Sequence, residues 1–149
     1  MPDRNLLTYF TFFNEVGIIE QLGRAAFEAR LPDGFLVSHF SVLNHLVRLG
    51  DGKTPLELAS AFQVPKTTMT HTLARLQSAD LVAFVPNPKD GRSKCVVLTD
   101  KGRNFREDAI GALAPELQAM ADAIPKDRVE ALLPALQEIR VYLDRARDT

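Results

Sequence analysis

A short helix predicted over residues 66–77 carries two kinds of side chain on two faces. Met69, Leu73 and Leu76 recur at spacings of four and three, which places them on one side as a buried stripe. The opposite side carries Thr67, His71 and Arg75. Hydroxyl, imidazole and guanidinium groups can hydrogen-bond base edges and phosphates. The helix is therefore a candidate DNA-recognition element.

The charges of the chain are unevenly distributed. Residues 66–106 contain eight basic and three acidic side chains, whereas the whole chain has 18 Lys and Arg against 19 Asp and Glu. A net charge of -1 thus conceals a basic middle between acidic ends. A basic middle segment favours a polyanionic partner such as nucleic acid.

A β-hairpin is predicted directly after this helix. Two short, branched, apolar runs at residues 81–85 and 95–98 are separated by nine residues rich in turn formers and charge. This pattern predicts two short strands with a long basic tip over residues 86–94. Charged residues of the tip are Lys89, Asp90, Arg92 and Lys94.

A second short helix precedes the recognition helix. Thr54, Pro55 and Glu57 supply an N-cap, a proline at the first helical position and a carboxylate three residues after the cap. That helix is predicted to run to about Phe62, and Pro65 disfavours helical geometry in the residue before it. The spacing of helix, turn and helix suits a helix-turn-helix with a hairpin wing.

Apolar helices flank this central region. Residues 5–30 and about 36–48 are predicted helices, and Thr99 is placed to cap a further helix that Pro115 should bend. Pro125 precedes a last helix with apolar residues at alternating spacings of three and four. That stripe consists of Val129, Leu132, Leu136, Ile139 and Leu143. Because a monomer of this size can hardly bury both ends, we expect a homodimer.

The predicted fold is mainly α-helical with a small β-hairpin wing. We expect one domain over residues 1–149, with a winged helix-turn-helix lobe at residues 36–100. Residues 5–30 and 104–147, from both ends of the chain, form the predicted helical dimerisation region.

Several classes of function are disfavoured. The chain has no apolar run long enough to span a bilayer and no secretory signal at its start, so we expect a cytoplasmic protein without a membrane partner. The histidines lack metal-ligand spacing, and neither a nucleophile motif nor a phosphate loop is present. We therefore expect no metal, no cofactor and no enzymatic activity. The single cysteine, Cys95, is interpreted as a packed side chain, with a redox sensor as the alternative.

Nearly the whole chain resembles the MarR family (multiple antibiotic resistance regulators). The similarity lies in the Asp-x-Arg of the wing at Asp90 and Arg92, in Leu98-Thr99-x-x-Gly102, and in the Arg75-Leu76 end of the recognition helix. The resemblance implies a dimeric transcription factor, usually a repressor. Such a protein binds a pseudo-palindromic operator in double-stranded DNA and is often released by a small phenolic or lipophilic ligand.

The wing differs from the common family pattern. Gly91 occupies a position that is often arginine, and Asn87 replaces a common aspartate. The alternative function is therefore a protein-interaction module that keeps the winged fold without specific DNA binding. His71 also occupies a position where a basic residue is frequent in the family. The family's preference for operator sequence therefore cannot be transferred to this chain.

The predicted DNA-binding set has three parts. The start of the recognition helix should enter the major groove, although Thr68 or Thr70 could instead only cap or solvate the helix. Arg92 should reach the minor groove with Asp90 steering its guanidinium, while Lys89 and Lys94 meet phosphates. Arg75 could bind phosphate or brace the wing through a carboxylate. The full set is Lys66, Thr67, Thr68, Thr70, His71, Arg75, Lys89, Asp90, Arg92 and Lys94.

A small aromatic or lipophilic effector is a further expectation. The first two helices mix aromatic and polar residues where the family often places a pocket, under the DNA-binding lobe. The candidate ligand-binding residues are Tyr9, Phe13, His39 and Phe40. The alternative interpretation is that this phenylalanine-rich region is plain core.

Overall fold

The computed structural model describes residue 1 and residues 3–148. Pro2 and Thr149, which the predicted domain 1–149 includes, lie outside the described residues. The elements are α1 (Arg4–Glu28), α2 (Val37–Leu49), α3 (Pro55–Phe62), α4 (Lys66–Ser78), β1 (Val82–Asn87), β2 (Asp90–Leu98), α5 (Asp100–Ala112), α6 (Ala114–Ala123) and α7 (Lys126–Ala146). The predicted fold class, mainly α-helical with a β-hairpin wing, is confirmed.

The chain divides into two compact units, residues 1–112 and residues 113–149. In the first unit, one apolar core joins α2, α3 and α4 to the hairpin. The predicted stripe of α4 belongs to this core, since Met69, Leu73 and Leu76 are all buried. This packing presents the polar face of α4 to solvent.

Side-chain caps fix where α3 and α5 begin. The Thr54 hydroxyl accepts a hydrogen bond from the Glu57 N–H (3.1 Å), and the Glu57 carboxylate accepts one from the Thr54 N–H (3.3 Å), so the predicted capping box is present. At the start of α5, Thr99 Oγ1 accepts from the Gly102 N–H at 2.9 Å. The predicted cap at Thr99 is therefore also confirmed.

The first helix lies largely outside the core. None of the residues of α1 that the structure describes is buried, although the helix contains many large apolar side chains. Among its exposed apolar residues are Leu6, Tyr9, Phe10, Phe13, Ile19 and Leu22.

The second unit contains α6 and α7. The helix that was expected to bend at Pro115 is instead interrupted, because α5 ends at Ala112 and α6 starts at Ala114 with Pro115 in its first turn. The apolar stripe of α7 is partly exposed within this unit, as Leu132, Leu136 and Leu143 are 56, 41 and 42% exposed.

Candidate nucleic-acid interface

The first two turns of α4 form an exposed polar surface. Lys66, Thr67, Thr68, Thr70 and His71 are all exposed, and the helix begins directly after Pro65. Thr67 and His71 are four residues apart and therefore share one face. Thr70 uses its hydroxyl within the helix, since Oγ1 donates to the Lys66 carbonyl oxygen at 2.9 Å. That contact fits the alternative in which Thr70 serves the helix backbone.

The hairpin differs from the prediction in length. The strands pair from Val82 with Leu98 to Asn87 with Asp90, which leaves only Pro88 and Lys89 between them. The predicted nine-residue tip at 86–94 is therefore wrong. Local turn propensity suggested a loop, but strand pairing continues through Pro86, which lies opposite Lys94. Proline is tolerated there because both strands of a two-stranded sheet are edge strands, where a missing N–H donor is acceptable.

Side-chain hydrogen bonds hold the end of this hairpin. The Asn87 amide nitrogen donates to Ser93 Oγ (2.9 Å), and its Oδ1 accepts from the Lys89 N–H (3.0 Å). Asp90 Oδ1 accepts from the backbone N–H of Arg92 at 3.0 Å. Asp90 thus orders the wing backbone at Arg92, and the predicted steering of the Arg92 guanidinium stays a prediction.

A groove joins the wing to the starts of α3 and α4. Its volume is about 460 Å³, and its lining includes Lys66 from α4 together with Arg92 and Lys94 from β2. Thr54 and Leu56 of the α3 start also line it, with Asn87 and Asp90 from the wing. Three cationic side chains from two separate elements thus surround one open space.

The wing is also tied to the loop between α2 and α3. The Asp51 carboxylate accepts a hydrogen bond from the Leu98 N–H at 2.7 Å. The Lys53 carbonyl oxygen accepts one from the Val96 N–H at 2.8 Å, and the Val96 carbonyl oxygen accepts one from the Gly52 N–H at 3.0 Å. Sequence reasoning missed Asp51, because a loop aspartate 47 residues from its partner gives no local signal.

Arg75 contacts the loop between α1 and α2. Its Cζ lies 4.1 Å from the centroid of the Phe35 ring, and its Nε donates to the Gly34 carbonyl oxygen at 3.4 Å. This contact differs from the wing carboxylate that the sequence offered as one alternative for Arg75. The guanidinium binds a carbonyl oxygen and an aromatic face instead, which only the tertiary fold brings near it.

The four predicted ligand-binding residues have different environments. Tyr9 and Phe13 are 67 and 51% exposed on α1, whereas His39 is buried and Phe40 packs edge-on against Phe27 at 4.6 Å. His39 Nδ1 accepts a hydrogen bond from the Leu36 N–H at 2.8 Å. Burial, with a smaller contribution from Arg75, lowers the pKa of His39 below its ordinary 6.5.

A separate cavity of about 230 Å³ lies against the other side of α4. Its polar lining comes from Arg24, Ser38, Ser41, Thr68 and Thr72, and its apolar lining includes Phe62 and Met69. Sequence reasoning assigned none of these residues to a ligand site, and it placed Thr68 at the DNA. The cavity depends on contacts between α1, α2, α3 and α4, so no local pattern marks it.

Within residues 1 and 3–148, no helix is long and apolar enough to cross a bilayer, and no three potential metal ligands lie together. Cys95 is buried in β2.

Comparisons with known proteins show what this chain is similar to. A model of the MarR family matches residues 33–93. BadR, a transcriptional activatory protein of Rhodopseudomonas palustris, is 28% identical over 101 residues. That match covers 66% of this chain but only 56% of BadR, so the chain spans little more than half of this relative.

Solved structures agree with this result. The transcriptional regulator BldR from Sulfolobus solfataricus matches with a TM-score of 0.78 and 22% identity, covering 94% of this chain and 99% of BldR. Wild-type apo MarR from E. coli matches with a TM-score of 0.72 and 26% identity, over 85% of this chain and 94% of MarR. A MarR mutant solved with operator DNA matches with a TM-score of 0.70 and 24% identity, over 93 and 99% of the two chains.

Proposed function

We propose that the chain is a transcriptional regulator of the MarR family and that it binds a specific operator in double-stranded DNA. The observation that carries this proposal is the groove shared by Lys66, Arg92 and Lys94. Two elements that winged helix-turn-helix proteins use on DNA, the recognition helix and the wing, there contribute cations to one site. These cations would neutralise the phosphates of a DNA backbone that runs along both elements.

In this proposal α4 reads bases in the major groove. Thr67 and His71 share an exposed face near the helix N-terminus, which is the end that usually contacts base edges. Lys66, Thr68 and Thr70 lie beside them, and we assign Lys66 to phosphate because it lines the groove with the wing cations. The Thr70 hydroxyl donates to the backbone of α4, so we assign Thr70 to supporting this helix at the DNA.

The wing supplies the second contact. Arg92 is exposed, two residues into β2, and Asp90 fixes the backbone on which it stands. We assign the Arg92 guanidinium to the minor groove, and Lys89 and Lys94 to the flanking phosphates. The charges then follow the path of a duplex from α4 to the hairpin.

A homodimer would place two such interfaces on a pseudo-palindromic operator. The exposed apolar side chains of α1 in the first unit, and those of α7 in the second, are surfaces that a second copy could bury. Two-fold symmetry of the protein then predicts two half-sites about one helical turn of DNA apart, roughly 34 Å. We assign dimerisation to residues 5–30 and 104–147.

We further propose that DNA binding represses transcription in the cytoplasm and is relieved by a small aromatic or lipophilic effector. The cavity beside α4 supports this, because an apolar wall with a few polar groups suits such a ligand and Thr68 connects it to the recognition helix. The guanidinium of Arg24, whose Nε contacts Glu20 at 2.7 Å, would face an acidic ligand group. The residues Tyr9, Phe13, His39 and Phe40 remain the alternative effector site.

The experiment is fluorescence anisotropy on DNA from the gene's own upstream region, against a scrambled duplex and over a salt series. Specific operator binding predicts preference for the native duplex and a log-log salt slope of about -0.9 for each phosphate contact. No binding at low salt would instead favour the protein-interaction module. Adding aromatic acids and phenols to the preformed complex tests the effector.

The direction of regulation needs a second measurement. BadR is named an activatory protein, so similarity to this relative leaves the sign of regulation open. A promoter reporter with and without this protein distinguishes the two: repression predicts a lower signal with the protein present, and an increased signal would contradict it.

A further inference from the structure

Phe35, in the connection between α1 and α2, contacts three separate elements. Its ring lies 4.8 Å from the Phe105 ring of α5 and 5.7 Å from the His39 ring of α2, measured between centroids. The guanidinium of Arg75 from α4 covers its face at 4.1 Å. The ring is half-buried and packs against the apolar core. One side chain thus connects α2 and α5 with the recognition helix.

Arg75 is held at two points. Besides the stacking on Phe35, its Nε donates to the Gly34 carbonyl oxygen at 3.4 Å. A Cβ built on Gly34 would lie 3.2 Å from Nη2 of Arg75, which shows how closely the loop backbone approaches the guanidinium. Arg75 is itself half-buried, so this contact is partly shielded from water.

The position of Arg75 on α4 relates this contact to the proposed DNA recognition. Arg75 follows His71 by four residues and Thr67 by eight, so its backbone lies on the proposed DNA-reading face. Its charged group nevertheless contacts the α1–α2 connection. A guanidinium in that place ties the second half of the recognition helix to the rest of the first unit.

We propose that Arg75 is a positioning residue for operator recognition rather than a phosphate contact. By binding Phe35 and Gly34 it sets the orientation in which α4 presents Thr67 and His71 to base edges. Arginine is needed because a planar guanidinium can stack on a ring and donate a hydrogen bond in its plane, whereas an ammonium is a compact charge. The inference rests on the proposed DNA-binding function.

The test compares R75K and R75M with K94A, which removes a proposed phosphate contact. Dissociation constants are measured on native and scrambled duplexes over a salt series. Both Arg75 variants should weaken native-duplex binding about tenfold, since each loses the stack. Both should keep the scrambled-duplex affinity and the salt slope of the wild type. K94A should weaken binding to both duplexes and reduce the slope by about one.

A second variant reaches the same contact from the loop side. G34A adds a Cβ against Arg75 without altering α4, and G50A is its matched control. Both glycines have positive φ, +84° and +98°, but a Cβ on Gly50 would meet nothing within 4 Å. G34A should lose native-duplex affinity as R75K does, while G50A should keep it. Thermal unfolding of both variants shows that each is folded at the assay temperature.

Three results would overturn the positioning role. R75K could bind like the wild type, R75M could lower the salt slope as K94A does, or G34A and G50A could have the same affinity. Each of these results tests the positioning role only when the wild-type protein prefers its native duplex to the scrambled one. Absence of that preference would reject operator binding itself, and the positioning role with it, so the two failures are distinguishable.

Discussion

Gly102, in the first turn of α5, lies directly against the carbonyl oxygen of Leu81, the residue before β1. A Cβ at this position would collide with that oxygen and come within 2.9 Å of Leu98 Cδ1. The glycine of the Leu-Thr-x-x-Gly motif is thus required by packing between α5 and the wing.

This contact predicts that G102A is destabilising. The backbone of Leu81 cannot move away cheaply, so we expect a loss of about 1–3 kcal/mol in the free energy of unfolding. Urea denaturation measures it. The control is G111A in the same helix, where a Cβ meets nothing within 4 Å and alanine should be neutral or stabilising by about 0.5–1 kcal/mol. Equal effects of the two substitutions would contradict the packing argument.

His71 is predicted to determine operator sequence preference. H71A should cost about 1–3 kcal/mol on the preferred duplex and relax discrimination at the contacted base pair. Binding to a library of operator variants measures this. Q77A, an exposed substitution later in α4, is the control and should leave the preference intact. An unchanged preference in H71A would remove this histidine from base readout.

Arg92 is predicted to carry the wing contact. R92A should weaken operator binding by about 1–3 kcal/mol, because a guanidinium is lost from the narrow minor groove. Anisotropy titration over a salt series measures both affinity and slope. R103A removes an exposed arginine of α5 outside the groove, so it controls for a general loss of charge. The minor-groove role fails if R92A and R103A bind alike.

His39, which is buried, and His45, which is half-buried, predict that the free energy of unfolding falls in mild acid. Burial is the main cause that lowers the pKa of His39 and of His45 below 6.5, assisted by Arg75 for His39 and by Lys53 and Arg48 for His45. The folded state therefore binds fewer protons than the unfolded chain just below pH 6.5. The stabilisation is complete above that pH and is lost as pH falls towards the lowered folded-state values.

Thermal unfolding between pH 7.5 and 5.5 tests this direction. H39Q should flatten the pH dependence, because glutamine does not titrate while its side-chain oxygen can still accept a hydrogen bond. Q77A, at an exposed side chain that does not titrate, is the control and should keep the wild-type profile. An unfolding temperature that rises as the pH falls would contradict this prediction.

The apolar surface of α1 is predicted to form part of a dimer interface. Ile19 is 66% exposed in the single chain, so a charge there should cost little in the monomer and much in a dimer. I19E should shift the protein to monomer in sedimentation experiments. Q21E introduces the same charge at a nearby polar position as the control. A wild-type protein that is monomeric at micromolar concentration would contradict the dimer.

The sequence by itself determined the starts of several helices and much of the proposed interface. Capping residues such as Thr54 and Thr99 and the periodicity of Met69, Leu73 and Leu76 act over a few residues, so they are readable without knowing the fold. The same local pattern placed Thr67 and His71 on an exposed face of α4.

Only the tertiary structure decided where the candidate functional side chains lie. Arg75 reaches Gly34, 41 residues earlier, and Asp51 binds the Leu98 backbone 47 residues later. Strand pairing extended the wing through residues that favour turns, and chain folding brought Lys66 beside Arg92. These contacts join residues far apart in the sequence. Their partners depend on the path of the whole chain, which local propensity does not encode.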